Sequence, residues 1–353
     1  MTALREILLR RIAATGPMSV ADYMTECLLH PVHGYYTTRD PLGAGGDFTT
    51  APEISQMFGE LIGLSLAQAW LDQGAPSAFV LAEPGPGRGT LMADILRATA
   101  HVPGLHDAAR LHLVEASPAL RAAQARVLPH ATWHDRLDQL PEELPLFLIA
   151  NEFFDALPIR QFIRDGNGWR ERVVGRDEDE LVFGLTSPLP LADLEHRLDD
   201  TQDGDMVEVS PALPALIGEI GGRIAASGGA ALIVDYGGRG DTGDSFQAVR
   251  NHRKVDPLAE PGEADLTAHV DFETLARASV PAACAGPVPQ GVFLERLGIT
   301  ERARALASRL DGAALDRHVA AHRRLTHPEE MGDLFKVAAL HPCNAPPPPG
   351  TEP

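Results

Sequence analysis

The stretch FVLAEPGPGRGTLMADIL, Phe79 to Leu96, runs an apolar segment into a glycine-rich bend and then into a helical pattern. Its glycines fall at Gly85, Gly87 and Gly89, with Thr90 opening the helix, so the pattern is E-x-G-x-G-x-G. A dinucleotide fingerprint needs G-x-G-x-x-G, with a pyrophosphate seated on the helix N-terminus. Its third glycine would stand at position 90, which is Thr90. Glu83, two residues before the first glycine, would repel a pyrophosphate and welcome a positive charge. S-adenosylmethionine meets these terms: its sulfonium and ammonium are cationic, it carries no phosphate, and it must lie close to a bare turn. A nicotinamide dinucleotide fits less well, and the loop taken alone is also readable as a plain Gly/Pro turn.

A second acid decides between them. Glu115, in LHLVEASPAL, lies one strand–helix–strand unit beyond Glu83, where a carboxylate can accept both hydroxyls of a ribose. Glu115 could also serve as a helix N-terminal charge, since Ser117 and Pro118 read as a cap and first turn. With Glu83, Gly85, Gly87, Gly89 and Thr90, the expected cofactor contacts include Glu115, Ala116 and, at the next strand end, His134 and Asp135 in ATWHDRLDQL. Trp133 in that segment is equally an adenine platform or a core residue.

The acceptor side is expected at LIANEFFDALP, because ligands of open α/β sheets bind at the carboxyl ends of strands. Asn151 is assigned there to the cofactor. Methyl transfer is an in-line displacement in which the protein aligns, excludes water and stabilises charge. A guanidinium acceptor would be oriented by carboxylates, one of which could take the released proton. Glu152, Asp155, Asp47 and Glu53 are the candidate acids, although Asp155 and Glu53 also stand where helix caps would. The segment GGDFTTAPEIS reads as a loop able to close over ligand. PVHGYY offers His33, Tyr35 and Tyr36, with His33 more readily structural.

The elements that must position these residues read as an α/β fold: a doubly wound, Rossmann-like sheet with an N-terminal helical region and an inserted α+β substrate region. The runs FVLAE, LHLVE, LFLIANE and ALIVDYG suit parallel strands buried on both faces. The expected organisation is helical over 1–75, with APEISQMFGELIGLSLAQAWL as an apolar-faced helix using Ile54, Met57, Phe58, Leu61, Ile62 and Leu64. The cofactor core covers 76–160 and 206–240, insertions cover 161–205 and 241–300, and 301–341 completes the core with LFKVAAL as a last strand. The Pro-rich 342–353 reads as a disordered tail.

Composition narrows the partners. The formal charge of −19 disfavours nucleic acid and anionic membrane and favours a basic partner, although acidity also serves solubility. Cys27, Cys284 and Cys343 lack metal-site spacing and imply a reducing compartment and no metal. The start is an amphipathic helix carrying Glu6, without a secretory core; Arg5, Arg10 and Arg11 could suggest a mitochondrial presequence, but the helix runs straight into folded-looking sequence, and a bacterial cytoplasmic setting is expected. No run approaches a membrane span.

PVHGYYTT, GGDFTTAPEISQMFGELIG, EPGPGRGTLMADILR, VEASPALR, NEFFDALPIRQF, VEVSP, IVDYG, DLTAHVDF and GPVPQGVFLERLGI together resemble the MidA family of class I methyltransferases, in order from about residue 20 to 340. The resemblance implies an S-adenosylmethionine-dependent methyltransferase. Relatives of the mitochondrial complex I assembly factor in this family imply protein arginine as acceptor and a respiratory complex I subunit as a possible partner. Pro84 departs from the apolar residue expected there. The spacing of Glu152 and Asp155 is narrower than the paired-glutamate loop of better-known arginine methyltransferases. Two alternatives stand beside protein methylation: a small-molecule acceptor, and a non-catalytic assembly factor that binds the cofactor.

Overall fold

The computed structural model describes residues 2–38 and 49–352. The chain divides into two compact units, one comprising Thr49–Phe154, Pro214–Gly238 and Phe272–Pro353, the other Met1–Phe48, Asp155–Leu213 and Arg239–Asp271.

In chain order the first of these contains α1 (Ala51–Ile54), α2 (Gln56–Asp72), β1 (Phe79–Pro84), α3 (Thr90–Thr99), β2 (Ala109–Val114), α4 (Pro118–Val127), β3 (Thr132–His134), β4 (Leu146–Asn151), β5 (Gly229–Gly238), β6 (Ala283–Pro289), α5 (Gln290–Arg296), α6 (Ile299–Ala307), α7 (Gly312–Thr326) and β7 (Phe335–His341). The strands lie in the order β6-β7-β5-β4-β1-β2-β3. Strands β1 to β5 are parallel to their neighbours among them, whereas β7 runs antiparallel to both β5 and β6. Chain order reverses between β1 and β4, which makes the crevice at their carboxyl ends the natural binding site. Both strands are buried along their whole length, as the apolar runs Phe79–Ala82 and Leu146–Ala150 require, with Glu83 and Asn151 near their ends as polar exceptions.

Helix α2 packs closely on α3. A Cβ on Gly59 would lie 2.7 Å from the Cβ of Asp94, and one on Gly63 would lie 3.0 Å from the Cα of Ile95. The glycines cost helix propensity of about 1 kcal/mol each relative to alanine and gain close approach. The expected single helix from Ala51 is two helices, because Ser55 is extended (φ −159°, ψ 136°) and caps α2. Its Oγ accepts the Met57 N–H at 3.2 Å. Leu64, expected on the apolar face, is exposed.

Buried Glu60 ties α2 to two other helices. It accepts from Arg97 on α3 at 2.7 Å and from Arg302 on α6 at 2.7 and 3.0 Å. Burial would raise the Glu60 carboxyl, but the two guanidinium groups outweigh it and hold the pKa below the usual carboxylate range.

The other unit is built on the antiparallel strands Met18–Ser19, Gly168–Asp177, Arg160–Asp165 and Met206–Val209, with Glu180–Leu185 paired to Gly168–Asp177. The hairpin expected around Asp165 to Gly168 is present, with those two residues opposite each other. The N-terminal helices Ala3–Thr15 and Val20–Leu29 bury Leu4, Leu8, Tyr23 and Met24 with Val174, Leu181 and Leu266.

The division differs from the one expected. Residues up to 38 belong with the inserted strands because Met18 and Ser19 pair with Val174 and Val173. Residues 272–300, expected in an insertion, supply β6 and α5 to the main sheet, and Met206–Val209, expected in the core, pairs with Arg160–Asp165 in the other unit. The tail expected to be disordered is packed instead. Prolines lack N–H donors but keep their carbonyls: Ser65 donates to the Pro349 carbonyl at 2.8 Å and Arg296 to that of Gly350 at 3.3 Å. Thr351 is fully buried.

Two outcomes follow for stability. Glu60→Ala should lower unfolding free energy by about 1–3 kcal/mol, discounted for the half-exposed arginines. Because the folded pKa is depressed, this contribution is present above the unfolded value of about 4.5 and fades as pH falls through the lower folded one, so the variant should show a flatter acid limb in denaturant melts. Deleting residues 343–353 should lower Tm by roughly 2–8 °C, for about 1–2 kcal/mol of lost burial, measured by scanning calorimetry; an unchanged Tm would mean the tail contributes nothing.

Candidate active site

Gly85, Gly87 and Gly89 have φ of 62°, 54° and 83°. This left-handed backbone is strained for any side chain bearing a Cβ. The turn carries the chain from β1 into α3, and a helix N-terminus offers N–H donors that its own hydrogen bonds do not use. A Cβ at Gly89 would also come within 3.0 Å of the Leu128 side chain, so this glycine answers to helix α4 as well as to the turn.

Glu83, near the end of β1, is 3% exposed, and its Oε2 has no hydrogen-bond partner among the described residues. Burial pushes its carboxyl up to about 8, opposed only by the Met92 backbone N–H in the first turn of α3. On the adjacent strand β4, Asn151 is 9% exposed and its Oδ1 likewise lacks a partner among the described residues. Its Nδ2 donates to Glu152 Oε1 at 3.3 Å. A buried acceptor without a donor costs about 1–3 kcal/mol. Two of them beside a glycine turn at the switch point fit a ligand bearing N–H donors and positive charge, such as the ammonium of an amino acid.

Glu115, just past β2, is buried, which raises its pKa; N–H groups of Ser117 and Gln124 oppose the rise. Oε1 accepts the Ser117 N–H at 2.8 Å and Oε2 accepts Gln124 Nε2 at 3.2 Å. Ser117 is the N-cap of α4, its Oγ accepting the Leu120 N–H at 3.5 Å; Glu115 braces the turn before it, and a carboxylate with about four lone-pair sites retains capacity for a diol. Thr90 donates to Glu53 Oε1 at 2.7 Å, linking α3 to α1.

At β3, Trp133 donates its indole N–H to Gln124 Oε1 at 2.8 Å and packs against the core. His134 follows it in the strand and so takes the opposite face; its Nε2 lies 2.8 Å from Nδ1 of His112. Burial lowers both imidazoles, that of His112 to about 4 with His134 beside it, which leaves the pair neutral at neutral pH. Asp135 is paired with Arg121 at 2.5 Å.

Glu152 has φ of 50°. Left-handed backbone at a residue other than glycine costs about 1–3 kcal/mol. Its N–H donates to the Val234 carbonyl at 2.9 Å and its Oε1 accepts the Ala51 N–H at 3.3 Å, so it caps α1. Fully buried Asp235 on β5 accepts the Phe154 N–H at 3.0 Å and thereby fixes the turn after Glu152.

Asp155, His33, Tyr35 and Tyr36 lie in the other unit. There Tyr36 donates to Asp265 at 2.7 Å, burial and the charges of Asp265 and Asp155 raise its phenol, and His33 stacks on His30 at 5.1 Å. Asp47, with Gly45, Gly46 and Phe48 of the GGDFTTAPEIS segment, lies outside the described residues. Among the described residues there is no group of ligands able to hold a metal, and no helix is long and apolar enough to cross a membrane.

Gln124 and Asp235 were not anticipated. Each left a signal: Gln124 takes a position in PALRAAQARV one turn after Leu120, where the helical period calls for an apolar residue, and Asp235 interrupts the apolar run ALIVDYG.

The strand order with β7 reversed, and the glycine turn after β1, define a class I methyltransferase. The chain belongs to the family described as "Putative S-adenosyl-L-methionine-dependent methyltransferase", whose model matches residues 61–288, and the resemblance to the MidA family holds. The mitochondrial protein arginine methyltransferase NDUFAF7 of Danio rerio is 40% identical, over 94% of this chain and 85% of that one. The Homo sapiens protein of the same name is 38% identical, over 97% and 84%. A Burkholderia thailandensis protein crystallised with S-adenosyl-homocysteine is similar at 30% identity and TM-score 0.82, covering 99% of this chain and 93% of that one. The chain is an S-adenosylmethionine-dependent methyltransferase. The expected bacterial cytoplasmic setting is overturned by the curated relatives, which are named as mitochondrial proteins.

The raised Glu83 carboxyl has a consequence for the ligand-free protein. Its penalty is absent below the unfolded pKa of about 4.5, grows as pH rises and is complete above the folded value. Glu83→Gln should therefore be more stable than the parent at pH 9 and equal to it near pH 4, in denaturant melts at the two pH values.

Proposed function

We propose that this enzyme methylates an arginine guanidinium nitrogen of a protein acceptor. The cofactor half of the reading rests on one observation, the pair of unpartnered buried oxygens on Glu83 and Asn151 beside Gly85, Gly87 and Gly89. These residues would hold the amino-acid end of S-adenosylmethionine, with Thr90 at the turn. Glu115 and the adjoining Ala116 would take the ribose, and His134 and Asp135 the neighbourhood of the base. Bound there, the cofactor would supply an electrophilic methyl group on sulfur; as the acceptor nitrogen forms its C–N bond the S–CH3 bond would break, S-adenosylhomocysteine would leave, and the nitrogen's proton would pass to a neighbouring carboxylate.

The acceptor half is supported by relatives at 38–40% identity that are named protein arginine methyltransferases and by the acidic surface. A carboxylate can orient a guanidinium through two parallel hydrogen bonds and receive its proton. Of Glu152, Asp155, Asp47 and Glu53, Glu152 is favoured, because its strained backbone at a strand end is the kind of cost that persists at functional positions. A respiratory complex I subunit is the acceptor that the family resemblance implies.

Two measurements test the reading. At pH 7 the ligand-free Glu83 carboxyl, with its pKa of about 8, is largely protonated, and an adjacent ammonium favours the carboxylate. Binding of S-adenosylhomocysteine should then release about one proton, seen by calorimetry in buffers of differing ionisation heat; Glu83→Gln should release none. With an arginine-containing acceptor, intact mass should rise by one or two methyl groups, an Arg→Lys acceptor should stay unmodified, and Glu152→Gln should lower kcat about 100-fold or more. Methylation of the lysine acceptor instead would overturn the arginine assignment.

A further inference from the structure

Gln124 is fully buried in the middle of α4 and bonded on every side. Its Nε2 donates to the Gly87 carbonyl at 2.7 Å and to Glu115 Oε2 at 3.2 Å, while its Oε1 accepts the Trp133 indole N–H at 2.8 Å. The sense of the amide is fixed by chemistry. A carbonyl and an ionised carboxylate only accept, and an indole N–H only donates, so a flipped amide would lose all three bonds. One side chain thus joins the middle of the glycine turn, the acid after β2 and the aromatic ring on β3. Three segments far apart in sequence are held in one register by a group that needs no contact with ligand.

We propose that Gln124 is a positioning residue for the cofactor: its amide holds the Gly87 carbonyl and the Glu115 carboxylate at a fixed separation, so that the turn and the ribose acid meet the nucleoside together. Trp133 is the third member, since its N–H sets which way the amide faces. The proposal rests on the assignment of Glu115 to the ribose.

Gln124→Glu separates positioning from space-filling, because glutamate has the same shape but, when ionised, no donor. If Gln124 only fills space, the variant binds S-adenosylhomocysteine as the parent does at every pH. If it positions by donation, the variant sets a carboxylate against Glu115 and the Gly87 carbonyl. The dissociation constant at pH 8 should then rise 10-fold or more, as expected for losing one or two bonds to a charged group. Part of the affinity should return at pH 5.5, where a proton shared by the two carboxyls restores a donor. The parent should show no such recovery.

Further variants keep the result readable should Gln124→Glu fold poorly. Trp133→Phe keeps the ring and removes the indole N–H, and should weaken binding several-fold. Glu115→Gln alone should weaken binding, and adding Gln124→Leu to it should cost less than Gln124→Leu costs in the parent, because the two residues act as a unit. Full additivity, or parent-like affinity of Gln124→Glu at pH 8, would overturn the proposal. If Glu115→Gln binds normally, the ribose assignment fails and the positioning role falls with it; if it binds weakly while Gln124→Glu is normal, only the positioning role fails.

Discussion

A carboxylate kept out of water at the end of a central strand is the constraint around which the catalytic unit is arranged. In a parallel sheet the carboxyl ends of the strands share one edge, and the first turn of the next helix brings unpaired N–H groups to it. Glu83 stands at that edge, takes one N–H from α3 and keeps an oxygen to spare. The sheet would be more stable with an apolar residue there. What is retained is a buried acceptor that a cationic group could pair with, offsetting the cost of its leaving water.

The glycine turn and α4 complete that arrangement from the other side. Left-handed backbone at three alternate residues turns the chain from β1 into α3, and the absent side chain at Gly89 admits α4 to within contact of it. Through Gln124 the same helix reaches Gly87, Glu115 and Trp133. The crevice at the carboxyl ends of β1 to β3 is thereby built from neighbouring strand ends that share buried hydrogen bonds. Its precision depends on side chains behind the surface as much as on those lining it.

Much of this was legible in the sequence. The apolar runs specified the parallel strands because both of their faces are buried, and the acids ending β1 and β2 were visible as charges at the ends of such runs. Other features had no local signal. The split at Ser55 depends on one extended residue within a helical pattern. The packing of the Pro-rich tail depends on carbonyl groups meeting Ser65 and Arg296, which lie far away in sequence. The allocation of Met18–Ser19 and of 272–300 depends on strand pairing across more than a hundred residues or on partners that follow later. Periodicity reports which face is apolar and is silent about what covers it. His134 illustrates the limit: its place at a strand end is legible, whereas its contact with His112 on β2 has no local signal.

The sheet's chain order also bears on how the protein is made. β7 comes last in sequence yet lies between β6 and β5, and it pairs with β5 over six residues from Ala231 to Tyr236. Until the ribosome has released residue 341, that side of β5 lacks its eventual β7 partner. An apolar strand in that state is prone to pair with whatever strand it meets. A nascent chain of this design would gain from chaperone shelter until its end emerges, when β7 slots into the gap and seals the sheet.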